Sequence, residues 1–192
     1  MSVINSPQDK KVIGLIGEKG SGKGSVAKLL MEKYGAQHFG TSVILKKIAD
    51  EVHLPQTRDN LIKLALVLKD GFWPGIVIDA MISEIEKSGS ALVIADGIRM
   101  HGDVEPFWDK YGENFKLVYV TAPLNIRFER TRLRKEKVGE ENTDFRQFIE
   151  EEGRLTEVSI AEIGKMADYK IDNSGSLPEL EKQIIDIMDK IL

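Results

Sequence analysis

Cysteine is absent from the 192-residue chain, so disulfides, thiolate metal sites and a cysteine nucleophile are excluded. Histidine is scarce. His38, His53 and His101 are scattered, no His-Glu-x-x-His spacing occurs, and each reads as an ordinary polar or packing residue. A Gly-x-Ser-x-Gly elbow is missing, which removes support for a serine hydrolase. The segment Thr121-Ala122-Pro123-Leu124-Asn125 lacks the Asn-Lys-x-Asp pattern that reads guanine. No apolar run approaches the roughly 20 residues a membrane helix needs, and no signal-peptide pattern precedes the first apolar segment. A net charge of −4 gives no overall electrostatic case for nucleic acid or a membrane surface. Internal repeats, low-complexity blocks and Pro/Gly/Ser linkers are also lacking. The expectation is a cytoplasmic protein, monomeric or homodimeric, with no nucleic-acid or membrane partner.

What is present suits one globular domain with a sizeable core, since 42% of residues are apolar and 30% charged. Residues 1–10 are polar and aperiodic and read as a loose tail; 11–192 form the domain. Short β-branched runs predict strands near 11–17, 36–40, 91–96, 115–121 and 168–172. Helical spacing predicts helices near 23–34, 42–53, 59–70, 76–88, 103–111, 124–136, 144–164 and 177–191. Strand and helix alternate, which argues for an α/β protein with a parallel sheet covered on both faces. The last helix is signalled most fully: Ser176 with Glu179 makes a capping box, Pro178 sits in the first turn, and Leu180, Ile184, Ile187, Met188 and Ile191 form the apolar stripe.

The chain is organised around Gly17-Glu18-Lys19-Gly20-Ser21-Gly22-Lys23-Gly24-Ser25-Val26. An apolar run precedes it and a helical stripe (Val26, Ala27, Leu29, Leu30, Met31) follows. Strand, glycine loop, then helix with a lysine at the turn is the setting of a phosphate-binding loop. Backbone N–H groups and the helix N-terminus offer partial positive charge, and Lys23 adds a mobile ammonium for the β- and γ-phosphates. The hydroxyl that normally follows the lysine directly is displaced here from Gly24 to Ser25.

Ligands in open α/β sheets bind beyond the carboxyl ends of strands, so the residues there are the next candidates. Asp96-Gly97-Ile98-Arg99 ends the third apolar strand. Its carboxylate is placed to organise Mg²⁺ with Ser25, although Asp-Gly is also a plain turn signal. After the second strand come Thr41 and Lys46, which also read as an ordinary helix start with Thr41 or Ser42 as N-cap and a solvated lysine. Arg58 precedes the next helix. Arg127, Arg130 and Arg134 share a helix face within a run that continues through Arg132, Lys135 and Lys137. So many like charges repel unless an anion is near.

The Lys23-Gly24-Ser25 ending and the Asp96-to-Arg99 segment resemble the nucleoside monophosphate kinases of the adenylate kinase type, and more narrowly the adenylate-kinase-related, dephospho-CoA-kinase-like subgroup. The resemblance runs from about Lys11 to the C-terminus. It implies a three-layer P-loop NTPase fold with a five-stranded parallel sheet in the order 2-3-1-4-5, an acceptor-binding insert at about 41–88 and a short helical lid at about 127–154. It further implies ATP and Mg²⁺ as cofactors and a small phosphate-bearing acceptor as partner. Thr41, Lys46, Arg58, Arg99 and Arg154 become acceptor contacts, Arg127, Arg130 and Arg134 lid cations, and Asn173 and Gly175 contacts under the adenine. Lys46 stands where the family has arginine, and Ser42-Val43 where it has Gly-Asp. Arg154 has a local alternative, an ion pair with Glu150, Glu151 or Glu152. The activity implied is γ-phosphoryl transfer to a nucleoside monophosphate. A kinase acting on a ribose hydroxyl, with Asp96 as base, and an ATP-hydrolysing regulatory module are the alternatives.

Overall fold

A computed structural model describes residues 10–134, 144–153 and 155–192. Five strands, β1 (Lys11–Ile16), β2 (Gln37–Gly40), β3 (Leu92–Asp96), β4 (Phe115–Thr121) and β5 (Tyr169–Asp172), form one sheet. Their order is β2-β3-β1-β4-β5 and every pair is parallel. The helices are α1 (Lys23–Tyr34), α2 (Thr41–Glu51), α3 (Arg58–Gly71), α4 (Ile76–Lys87), α5 (Glu105–Tyr111), α6 (Leu124–Arg134), α7 (Phe145–Glu152), α8 (Leu155–Gly164) and α9 (Leu177–Ile191).

Both faces of the sheet are covered, so β1, β3 and β4 are mostly apolar. Along β1 the pleat sends Val12 and Ile16 into one core, with α2, α4 and α5, and Ile13 and Leu15 into the other, with α1 and α9. Each such side chain removed from water contributes about 1.5–3 kcal/mol. Gly14, mid-strand, is explained by packing: a Cβ there would stand 2.7 Å from the Phe115 ring, which lies over it. Phe115 in turn stacks on Phe107 at 5.0 Å between centroids. The last helix follows the sequence closely. Glu179 accepts from the Ser176 N–H at 2.7 Å, and the five residues of the expected stripe are its buried residues.

One expected element is corrected. The helix expected over 144–164 is two helices, α7 and α8, parted at Gly153, whose N–H still closes on Ile149 O at 3.1 Å. Glycine is a poor residue for a helix interior and a good one for ending a helix. The N-cap of α2 is Gly40 rather than Thr41 or Ser42, and that of α3 is Thr57, whose side chain accepts from Asn60 N–H. Of the tail expected over 1–10, Lys10 is buried instead, its Nζ donating to Ile85 O at 2.6 Å. Residues 1–9, Lys135, Lys137, residues 138–143 at the expected lid tip and Arg154 lie outside the described residues, as does the side chain of Arg134.

Candidate active site

All five carboxyl ends of the parallel strands open on one edge, and the predicted residues sort there by strand. Beyond β1 the loop 17–22 leads into α1. Gly22 caps α1 with φ 98°, a left-handed conformation that glycine adopts without strain. Close approach constrains the loop too: a Cβ on Gly20 would stand 2.3 Å from the Arg127 carbonyl oxygen. Lys23 Nζ folds back on the loop, donating to Gly17 O at 2.5 Å and to Glu18 O at 3.4 Å. Ser25 is exposed in the first turn of α1, while Val26 is buried beneath it. Glu18 and Ser21 are buried in the loop wall. Glu18 accepts from the Tyr119 hydroxyl, and burial together with that bond pushes the Tyr119 phenol up.

Beyond β3 the Asp96 carboxylate accepts from the Gly97 N–H at 2.7 Å and lies 3.5 Å from His38 Nε2. Burial pushes this carboxyl up. The His38 imidazole, the Lys23 ammonium and the Gly97 N–H act the other way and prevail, holding it below the usual carboxylate range. His38 had read as an ordinary residue. Its proximity follows from β2 pairing beside β3, with His38 opposite Ile94 and Gly40 opposite Asp96. Strand order was the only signal that could have found it. Thr41 closes the same corner, its Oγ1 3.4 Å from Gly97 O.

Three of the cations expected to hold an acceptor lie on α2, at the start of α3 and after β3. Lys46, Arg58 and Arg99 are all exposed. The Arg99 backbone is fixed: its N–H and that of Met100 donate to Asp103 Oδ2 at 2.9 and 3.0 Å. Asp103 is buried and also receives Lys69 from α3. Neither Asp103 nor Lys69 stood out in the sequence.

The arginine run on α6 is divided by burial. Arg127 is in the body of the protein, where Nε donates to Ala122 O at 3.0 Å, and Nη1 to Lys19 O at 3.3 Å and Glu152 Oε2 at 2.6 Å. Its ring neighbour, fully buried Phe148, packs against Phe128 and brings α7 onto the phosphate loop. Arg132 is exposed and pairs with Glu129. Arg130 is half-buried, and its Nη1 is buried with no hydrogen-bond partner among the described residues. That nitrogen stands 3.9 Å from where a Gly22 Cβ would be.

Beyond β5, Asn173 is buried and its Nδ2 donates to Ser21 O at 2.8 Å. Gly175 lies beside the Glu179 carboxylate of the α9 cap.

These residues suit the phosphate chain of a nucleotide. A buried, unpartnered guanidinium nitrogen and an ammonium resting on loop carbonyls are what an anion would complement. Among the described residues no three His, Asp or Glu side chains gather into a metal-holding group. Mg²⁺ beside phosphates takes one or two carboxylates and keeps several waters, so Asp96 with the Ser25 hydroxyl suits it. Among the described residues, no helix is long and apolar enough to cross a membrane.

The parallel order β2-β3-β1-β4-β5, with a glycine loop from β1 into α1, is the P-loop kinase fold. A family model described as an AAA domain matches residues 16–148, more than half of the chain, and the chain belongs to that family. It is 29% identical to a UPF0200 protein from Saccharolobus islandicus, over 95% of this chain and 94% of that one. A shikimate kinase from Bacteroides thetaiotaomicron has a similar structure, with a TM-score of 0.62 at 14% identity, covering 94% of this chain and 98% of that one. A gluconokinase from Sinorhizobium meliloti gives 0.58 at 14% identity, covering 96% and 94%. At such identities the two structures share the fold with this chain.

Proposed function

We propose that the protein is an ATP- and Mg²⁺-dependent phosphotransferase that moves the γ-phosphoryl group to a small phosphate-bearing acceptor, first a nucleoside monophosphate. The observation that carries this reading is Arg130: a buried guanidinium nitrogen without a partner stands over the phosphate loop beside Gly22. A buried donor left without a partner there is costly unless a ligand supplies the acceptor.

Gly17, Gly20, Gly22 and Gly24 cradle the phosphates with Lys19, Glu18 and Ser21 in the loop wall. Lys23 exchanges the Gly17 and Glu18 carbonyls for phosphate oxygens. Ser25 and Asp96 hold the metal, which when bound draws charge from the phosphate oxygens. Thr41, Lys46, Arg58, Arg99 and Arg154 serve the acceptor, and Arg130 and Arg134 the charge spread over the transferring group. Arg127 braces the loop from below. An acceptor phosphate is already a nucleophile, so no strong base is needed. The contact with His38 is the one observation favouring the hydroxyl alternative, since an imidazole could relay that proton.

The test is ADP release from ATP and Mg²⁺ against AMP, CMP, UMP, GMP, their deoxy forms, dephospho-CoA, shikimate and gluconate. One monophosphate raising release far above the acceptor-free rate establishes the reading. Response only to a hydroxyl acceptor replaces it with the second. A flat panel with measurable ATP binding leaves a regulatory nucleotide-binding module.

A further inference from the structure

The turn after β5 grips the phosphate loop from outside. Asn173 sits 6% exposed, with its backbone N–H bonded to Thr121 O at 2.8 Å and its Nδ2 to Ser21 O at 2.8 Å. The turn itself is anchored twice more. The Ser174 N–H donates to Asp172 Oδ1 at 3.0 Å, and Gln183 of α9 takes the Asp172 N–H at 3.0 Å and donates to its carbonyl at 2.9 Å. Asn173 therefore reaches the loop from a frame made of β4, β5 and α9.

The carbonyl it holds belongs to the Ser21–Gly22 peptide. In a trans peptide the C=O and the following N–H point to opposite sides of the chain, and the chain has no cis peptide among its described residues. Fixing Ser21 O toward Asn173 thus fixes the Gly22 N–H on the opposite side. Gly22 is also where the fit is tightest, because a Cβ there would lie 2.0 Å from Asn173 Nδ2. With the amide committed to Ser21 O, Asn173 is poorly placed to spend that donor on a purine.

We propose that Asn173 is a positioning residue for the nucleotide phosphates: it sets the orientation of the Ser21–Gly22 peptide and so aims the Gly22 N–H at the phosphate chain. The inference rests on the proposed nucleotide site and departs from an adenine contact at this position. Loss of the amide frees the peptide to rotate and weakens every nucleoside triphosphate alike, whatever its base.

The test is competition of ATP and of GTP against a fluorescent ADP analogue, in the whole chain, for wild type, Asn173→Ala and Asn173→Asp. Asn173→Asp keeps the size and removes the donor, so it serves if Asn173→Ala fails to fold. The expected result is a rise of about tenfold in both Kd values with the ATP-to-GTP ratio unchanged, the size of one hydrogen bond to a partly charged site. A change in that ratio assigns Asn173 to the base and overturns the proposal. Unchanged Kd values with a lowered Tm make the residue purely structural and overturn it too. A wild-type chain that binds no nucleotide removes the proposed function first, and the inference with it.

Discussion

Lys69 Nζ of α3 meets Asp103 Oδ1 at 2.5 Å, with the two side chains 16% and 3% exposed. The same carboxylate holds the Arg99 and Met100 N–H groups, so one buried ion pair ties α3 to the loop that carries Arg99. Removing one partner of such a pair strands the other charge and typically costs about 3–5 kcal/mol. Lys69→Met is expected to lower stability by that order, read as a shift of the urea midpoint at constant slope. Asp103→Asn keeps the shape and is expected to raise the acceptor KM more than the ATP KM. Equal effects on both substrates would detach the pair from the acceptor side.

Lys23 donates to two backbone carbonyls of its own loop, Gly17 O and Glu18 O, and its ammonium also acts on the Asp96 carboxylate. Lys23→Ala is expected to leave the chain folded, read by a thermal melt, while removing the ammonium from the phosphates. The expected loss in kcat/KM is about 10²-fold or more, the range for deleting one preorganised charge donor. Near-normal turnover in a folded variant would sink the whole assignment.

The phosphate loop could be read directly because every part of it lies within a few positions of the chain, where spacing alone carries the geometry. So could the capping box and stripe of α9. The strand order came from resemblance, since alternation says that a sheet is parallel without saying which strands adjoin. The residues missed are those whose meaning depends on distant partners. His38 meets Asp96 only through the β2–β3 pairing, and Lys69 meets Asp103 across 34 positions. Arg127 and Arg130 looked alike because helical spacing reports a shared face but not how deep each position sits. The approach of the Arg127 carbonyl to Gly20 and the Arg127 bond to Lys19 O show that the first turns of α6 press on the loop.

Glu179 carries a pH dependence that follows from its cap. The Ser176 N–H, then the Ser176 hydroxyl, hold its carboxyl below the ordinary value. A folded-state pKa below the unfolded one means the unfolded chain takes up the proton first as pH falls. Stability from this group is thus complete above the ordinary carboxylate pKa and is lost as pH drops through the folded value. Glu179→Gln can still cap the helix but has no proton to gain. It is expected to flatten the acid limb of stability against pH, measured by urea midpoints from neutral pH downward. An unchanged acid limb would show that other carboxylates set it.

Arg127 and Arg130 stand three residues apart on one helix and are expected to fail in opposite ways. Arg127→Ala breaks a buried pair with Glu152 and two bonds to carbonyls, so its first consequence is a stability loss of about 3–5 kcal/mol. Glu152→Ala should share much of that loss, and the double variant should cost less than the sum. Arg130→Ala takes away a buried nitrogen that has no partner among the described residues, so Tm should hold or rise. Its kcat should nevertheless fall by about 10²–10³-fold, because the charge it offers is matched only when phosphate is present. The two measurements are a thermal melt and single-substrate kinetics on each variant. If Arg130→Ala were destabilised like Arg127→Ala and still turned over normally, Arg130 would be a structural residue and the site would lose the cation on which the proposed function rests.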